Sequence, residues 1–307
     1  MQETVLVGVD WGTTNLRAYA FAADGSLRAK TARPTGITRM TVPYGDLLEE
    51  LCGEFGAGAD TPALLCGMVG SRQGWIEARY IPTPCTLDGL VDGLVSAPHA
   101  SRRVLVVPGL DSRSGRAPDV MRGEETQLLG LMDGLGDAER LVCMPGTHCK
   151  WVRIAGGRIL DFRSYMTGEA FAALKDHTIL GRQMSAGAAH DAAAFETGVA
   201  MAQEARRRGP GALLNLLFGV RTLGLFERLS AEAAPSLMSG LMIGAEIADA
   251  LGPEPPAEPV VVVGSAGLSA RYRDAARALG VRTAIADEDI ATRGLWAIAR
   301  AAKLASR

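Results

Sequence analysis

"VGVDWGTTNLRAYAF", residues 7–21, decides how the chain begins to fold. An apolar run ends in Asp10, the turn-forming residues Gly12, Thr13, Thr14 and Asn15 follow, and apolar residues then alternate from Leu16 to Phe21. Alternation with a period of two marks a half-buried strand, so the polar insert joins two strands and does not open a helix. A dinucleotide fold would need GxGxxG between strand and helix, and a P-loop would need GxxxxGK followed by Ser or Thr; neither pattern occurs. Such a turn offers exposed backbone N–H groups and two hydroxyl donors, a concavity suited to phosphate oxygens. Asp10 can hold Mg²⁺ directly or through its water. The same residue types also build ordinary hairpin turns.

The theme returns further along. "LVCMPGTHCKWVRI" (141–154) is again strand, Gly-Thr turn and strand, with Gly146 and Thr147 in the turn and Lys150 as a candidate phosphate partner. His148 and Cys149 are neighbours, so on a strand they point to opposite faces and make a poor ligand pair for a metal. "VVVVGSAGLSARY" (260–272) is strand, glycine turn and helix, where Gly264, Ser265 and Gly267 let backbone approach a ligand at a helix N-terminus. Close strand–helix packing would use the same glycines.

Between these turns the pattern predicts strands at 26–32, 62–67 and 103–109 and a helix near Tyr44–Phe55. A helix over 121–132 carries acids in its first turn, "DGLGDAE" (133–139) reads as a domain junction, and 158–169 adds a strand. Helices then run to about Leu251, "PEPPAEP" (253–259) breaks the chain, and a strand near 281–286 and a helix from about Ile290 close it. "EARRRGPG" (204–211) reads as a solvated helix end, and His99, His177 and His190 as surface residues.

With 307 residues the chain suits two domains, and a net charge of −2 supplies no global field to recruit nucleic acid or anionic membrane. Five cysteines, odd in number and without a CxxC pair, fit a reduced, cytoplasmic compartment better than a disulfide framework. The start of the sequence has no signal-peptide pattern, and no apolar run reaches the ~18 residues of a membrane span.

The ordered turns resemble the sugar kinase/heat-shock protein 70/actin superfamily, which carries two phosphate loops and then a glycine-rich adenosine motif. "DWGTTNLRAY", "GMVGSRQGW", "MRGEETQ", "MPGTHCKWV", "DFRSYMTGE" and "SGLMIGAE" narrow the resemblance to the 2-dehydro-3-deoxygalactonokinase family across nearly the whole chain. That resemblance implies an α/β fold of two RNase H-like (actin-like ATPase) domains, expected at 1–135 and 136–307, with Mg·ATP between them. It implies phosphorylation of the 6-hydroxyl of 2-dehydro-3-deoxy-D-galactonate. Asp10 and Gly12–Asn15 would form the first phosphate loop, Gly146 and Thr147 the second, and Gly264, Ser265 and Gly267 would meet the adenosine. Glu124 or Glu125 would be the catalytic base, although both can equally be helix-start acids. The acid substrate needs cationic or donor partners, for which Arg72, Trp75, Arg122 and Arg163 are candidates; each arginine can equally be a structural ion pair. The partners expected are a small sugar acid and ATP, with a homodimer allowed. A non-catalytic sugar or nucleotide sensor, or a phosphatase or ATPase of the superfamily, are the competing readings.

Overall fold

The computed structural model describes residues 3–305 except 100, 133, 210, 253–255 and 288. The first residues of the 133–139 and 253–259 segments therefore lie outside the described residues. The chain divides into two compact units. The first comprises Met1–Glu139, Arg153–Phe162 and Asp289–Arg307, the second Arg140–Val152 and Arg163–Glu288.

The opening strands Leu6–Trp11, Leu16–Phe21 and Leu27–Arg33 form an antiparallel meander. Leu6–Trp11 also pairs in parallel with Ala63–Gly67, which pairs in parallel with Val104–Val106. A continuous apolar strand such as Ala63–Gly67, buried along its whole length, is what a sheet covered on both faces requires. One core of this unit packs Val7, Val9 and Trp11 against Leu47, Leu48 and Leu51 of the helix Tyr44–Glu54.

A second six-stranded sheet repeats the order. Arg140–Met144 lies between Cys149–Ala155, which leads on to Arg158–Tyr165, and the parallel strands Val260–Val262 and Thr283–Ile285. In each sheet a central strand (Leu6–Trp11, Arg140–Met144) has the two strands that follow it in sequence on one side and parallel strands next to it on the other, with the short strands Val95–Ser96 and Cys85–Thr86 added at an edge. The recurrence expected from the two Gly-Thr turns is present in the topology, and the fold is α/β of the actin-like kind.

Four sequence expectations change. The predicted strand 158–169 ends at Tyr165, and Thr167 opens the helix Thr167–His177. The predicted strand 103–109 stops at Val106; Gly109–Ser112 starts a separate three-stranded sheet with Asp119–Met121 and Tyr80–Pro82. The predicted helix 121–132 begins only at Glu124, because Met121 still pairs with Leu110 and Gly123 has φ +107°. His99 is not a surface residue. Its side chain is 8% exposed, 3.3 Å from Glu49, and its Nδ1 accepts the Arg102 N–H at 3.1 Å. His177 and His190 are exposed as expected.

Candidate active site

In the first unit, Asp10 ends the apolar strand, in register with Arg17 and Cys66. Its carboxylate is 17% exposed and 3.8 Å from the Arg17 guanidinium. Burial pushes its pKa up to about 6; Arg17 opposes the shift and the nearby Glu124 adds to it.

The Gly12 N–H closes the following turn on the Asn15 carbonyl at 2.9 Å. A second segment braces it: the N–H groups of Gly36, Ile37 and Thr38 donate to the carbonyls of Thr14, Gly12 and Thr13 at 3.0, 3.1 and 3.1 Å. Thr38 Oγ1 also donates to Thr13 O at 2.8 Å. A Cβ on Gly36 would lie 2.3 Å from Thr13 and Thr14 backbone atoms, so only glycine permits this brace. With the turn's carbonyls bonded to protein, Thr13, Thr14 and Asn15 remain exposed. Sequence reading missed the brace, for which "TGIT" (35–38) was the available signal.

Two left-handed glycines carry a second carboxylate to Asp10. A Cβ on Gly67 (φ +88°) would lie 2.7 Å from Trp11 O and 3.3 Å from Asp10 Oδ1; one on Gly123 would lie 3.2 Å from Gly67 Cα. The helix Glu124–Met132 starts at once, so Glu124 and Glu125 stand beside the first strand's end. They differ in environment. Glu125 is wholly buried, accepting the Gly123 N–H at 2.6 Å and the Thr126 hydroxyl at 3.1 Å. Burial first, and the Glu124 charge second, push its pKa up to about 8. Glu124 is half-buried and accepts the Arg122 N–H on Oε2 at 3.0 Å.

Arg122 Nη2 donates to Ala78 O at 2.7 Å, and its guanidinium lies 4.5 Å from the Tyr80 ring centroid. Its Nε and Nη1 are buried without a hydrogen-bond partner, as is the Ser71 hydroxyl. A buried donor without an acceptor is costly unless something fills the place. Arg72, by contrast, is 85% exposed and only 3.4 Å from Glu77. Trp75 lies parallel to Tyr44 at 5.9 Å and edge-on to His99. Arg163 belongs to the second unit, where it donates to Ala250 O at 2.8 Å near the end of the helix Ala234–Leu251. Within the first unit, Arg122 precedes Glu124 by two residues and binds it through its backbone N–H.

In the second unit Gly168 packs against the Gly146–Thr147 turn, where a Cβ would lie 2.3 Å from Gly146 O, and the Glu169 N–H donates to Thr147 O at 2.9 Å. Gly264 faces Pro145 O at 3.4 Å from its notional Cβ, which places the third turn beside the second. Ser265 and Gly267 are exposed at the start of the helix Ala266–Ala278. A cavity of about 80 Å³ opens here between Gly146, Phe171, Met242, Ile243, Leu268 and Arg271. Lys150 is buried and donates to Ser164 Oγ. His148 pairs outward with Glu169 at 2.6 Å, while Cys149 points inward to the Tyr272 hydroxyl at 2.8 Å.

Sequence reading also missed Glu246. This 4%-exposed carboxylate accepts Trp151 Nε1–H at 2.7 Å and Tyr272 O–H at 2.8 Å, tying strand Cys149–Ala155 and helix Ala266–Ala278 to helix Ala234–Leu251. Burial raises its pKa, and the hydrogen bonds it accepts oppose that shift.

Residues 10–298 match the family described as 2-keto-3-deoxy-galactonokinase. The chain belongs to this family. It is 41% identical over 298 residues to a Rhizobium meliloti (strain 1021) protein named "Probable 2-dehydro-3-deoxygalactonokinase", covering 95% of this chain and 96% of the relative. It is 34% identical over 297 residues to the Escherichia coli (strain K12) 2-dehydro-3-deoxygalactonokinase, covering 96% and 97%. A crystal structure of a Sinorhizobium meliloti protein assigned to this kinase family superposes with a TM-score of 0.90 at 40% identity, covering 96% of this chain and 98% of that one. The (R)-2-hydroxyglutaryl-CoA dehydratase component A of Acidaminococcus fermentans, 12% identical with a TM-score of 0.52 over 98% of this chain and 99% of its own, shares the fold alone.

Proposed function

We propose that this member of the 2-keto-3-deoxy-galactonokinase family transfers the γ-phosphoryl group of ATP to the 6-hydroxyl of 2-dehydro-3-deoxy-D-galactonate. The observation that carries the residue roles is the approach of Glu124 to Asp10 through Gly67 and Gly123. Phosphoryl transfer asks little covalent work of a protein; it asks for alignment of donor and acceptor and neutralisation of charge.

Asp10 suits a hard cation: it is an oxygen donor in a poorly hydrated site, with the Arg17 guanidinium 3.8 Å away and the Glu124 carboxylate nearby. Mg²⁺ held there would offset charge on the β- and γ-phosphates. The exposed amides and hydroxyls of Gly12–Asn15, and those of Gly146–Thr147, would receive phosphate oxygens, with Lys150 adding positive charge from its buried position. Gly264, Ser265 and Gly267 would take the adenosine, whose flat base matches the apolar walls of the neighbouring cavity.

Glu124 is the base in this reading. It orients the acceptor hydroxyl and takes its proton as the O–P bond forms. Glu125 holds the helix start in place and is already occupied by Gly123 and Thr126. Arg122, with two unpaired buried donors, is the best placed of the candidate side chains for the carboxylate end of the acid, with Trp75 and Arg72 on the neighbouring loop.

A coupled ADP assay across 2-keto-3-deoxy sugar acids tests the reading, with mass spectrometry to locate the phosphate. ADP release that requires the acid and product phosphorylated at the terminal hydroxyl are expected. ADP release without acid, or phosphate at another oxygen, overturns it.

A further inference from the structure

Ser71 has no role in the chemistry above, yet its surroundings single it out. Its backbone is fixed in a tight turn: its carbonyl accepts the Gly74 N–H at 2.9 Å, and a Cβ on Gly74 would lie 2.2 Å from Val69 O. Its hydroxyl is buried and bonds to nothing. Among the described residues six buried side-chain polar atoms lack a partner, and three of them are Ser71 Oγ, Arg122 Nε and Arg122 Nη1. These three are neighbours, because Arg122 Nη1 lies 3.0 Å from the notional Cβ of Gly70, the residue before Ser71. Polar groups are rarely left this way in one place unless a ligand completes them.

The cluster borders the acceptor site. Segments 67–71 and 122–124 lie side by side, Gly123 against Gly67 and Arg122 against Gly70, and Glu124 accepts the Arg122 backbone N–H. The guanidinium is anchored by Nη2 on Ala78 O, and the Tyr80 ring lies 4.5 Å from it. Its in-plane N–H groups are what remains for a ligand, and a carboxylate is the planar group that meets them edge-on.

We propose that Ser71 is a specificity-determining residue: with Arg122 it reads the acid head of the substrate, the guanidinium taking the carboxylate and the Ser71 hydroxyl the oxygen on C2. This rests on the kinase reading above and adds to it the means of selection. A 2-oxo acid presents acceptor oxygens on two adjacent carbons, and the cluster presents donors from two adjacent side chains. A neutral sugar leaves the buried guanidinium unpaired, and an acid without an oxygen on C2 leaves the hydroxyl unpaired. A site built to hydrogen-bond a group rejects the analogue that lacks it far more strongly than an apolar pocket can.

Titration calorimetry without ATP reads binding apart from turnover. The probes are 2-dehydro-3-deoxy-D-galactonate and its 2-deoxy analogue, which keeps the carboxylate and has no oxygen on C2. Ser71→Ala should bind the first about 5–100-fold more weakly, the scale of leaving the C2 oxygen buried and unpaired, and the second as wild type does. Without ligand it should melt at or above the wild-type temperature, since the lost hydroxyl bonds to nothing in the free protein. Arg122→Met should weaken both acids by about 10²-fold or more, and Arg122→Lys, which keeps the charge, by less. Ser71→Ala weakening both acids alike, or melting well below wild type, would make Ser71 structural. Arg122→Met binding as wild type does would put the carboxylate elsewhere. Either result, in a wild type whose ADP release needs the acid, overturns the proposal and leaves the kinase reading standing. A wild type that releases ADP without acid, while the variants bind as expected, does the reverse. A wild type that binds neither acid overturns both.

Discussion

Glu124 and Glu125 are adjacent acids with opposite surroundings, and the difference makes them separable by experiment. Glu124→Gln keeps the shape and removes the basicity; kcat should fall by about 10²–10⁴-fold with ATP affinity little changed. Glu125→Gln should lower kcat far less, since its oxygens serve the helix start. A dead Glu125→Gln beside an active Glu124→Gln would exchange the roles. The pH behaviour separates them further. Glu125 has its pKa raised from the ordinary carboxylate range to about 8, so the native state binds the proton more tightly than the unfolded chain. Its contribution to stability is therefore full below about 4.5 and is lost as pH rises towards 8. Thermal unfolding of Glu125→Gln against wild type should show the variant gaining relative stability across that window. A constant difference from pH 5 to 8 would mean that Glu125 is ionised throughout. Asp10, raised to about 6, gives a second pH signature: apparent Mg²⁺ affinity in the kinase assay should weaken as pH falls below about 6, because the protonated carboxyl no longer ligates.

At the scale of elements, glycine decides where helices can touch. A Cβ on Gly130 would lie 2.1 Å from Ile290 O, and one on Gly294 would lie 1.8 Å from Thr126 O, so the helices Glu124–Met132 and Ile290–Ala301 cross backbone to backbone. The same device joins Ala192–Arg208 to Ala234–Leu251, where Gly198 meets Leu237 O and Gly240 meets Phe195 O at 2.1 and 2.0 Å from their notional Cβ atoms. Gly294→Ala should cost about 1–3 kcal/mol or more through forced separation of the helices. Gly53→Ala, in the helix Tyr44–Glu54 with open space around it, should be neutral or stabilise by about 0.4–1 kcal/mol. Urea unfolding of the two variants checks the contrast, and equal midpoints would show that the crossing is not tight. These contacts also explain what could be read in advance. The Gly-Thr turns were legible because period-two strands flank them and no other local rule puts Gly, Thr and Asp between strands. The helix carrying "SGLMIGAE" was legible from its pattern, but the motif itself was recognised by resemblance. Its reasons are long-range: Gly240 and Gly244 admit a neighbouring helix, and Glu246 accepts from residues far away in sequence. The Gly36 brace and the burial of His99 by Glu49 and Arg102 escaped for the same reason. Local pattern carries no information about a partner dozens of residues away.

At the scale of the molecule, the first unit is discontinuous: the last segment, Asp289–Arg307, groups with the opening strands. The packing is specific. Leu295 and Ile298 are fully buried, a Cβ on Gly8 in the first strand would lie 3.0 Å from Leu295, and Trp296 stacks on Phe21 at 5.7 Å. Burying side chains such as Ile290, Leu295 and Ile298 contributes about 1.5–3 kcal/mol each, and their sum is comparable with the ~5–15 kcal/mol that holds a domain folded. The helix Glu124–Met132, which positions Glu124, leans on this segment through Gly130 and Gly294, so the site depends on it as well. A chain ending at Ala286 should therefore lose the near-ultraviolet circular dichroism of Trp11 and Trp75 and all kinase activity, while Leu295→Ala in the full chain should cost about 2–5 kcal/mol. A synthetic peptide spanning residues 287–307 should restore part of both signals when added to the truncated chain, since its binding supplies the contacts on the first strand and the Glu124 helix that complete the core. A truncated chain that keeps its aromatic signal and unfolds cooperatively without the peptide would show that the opening strands close a core unaided, and that the terminal helix only covers it.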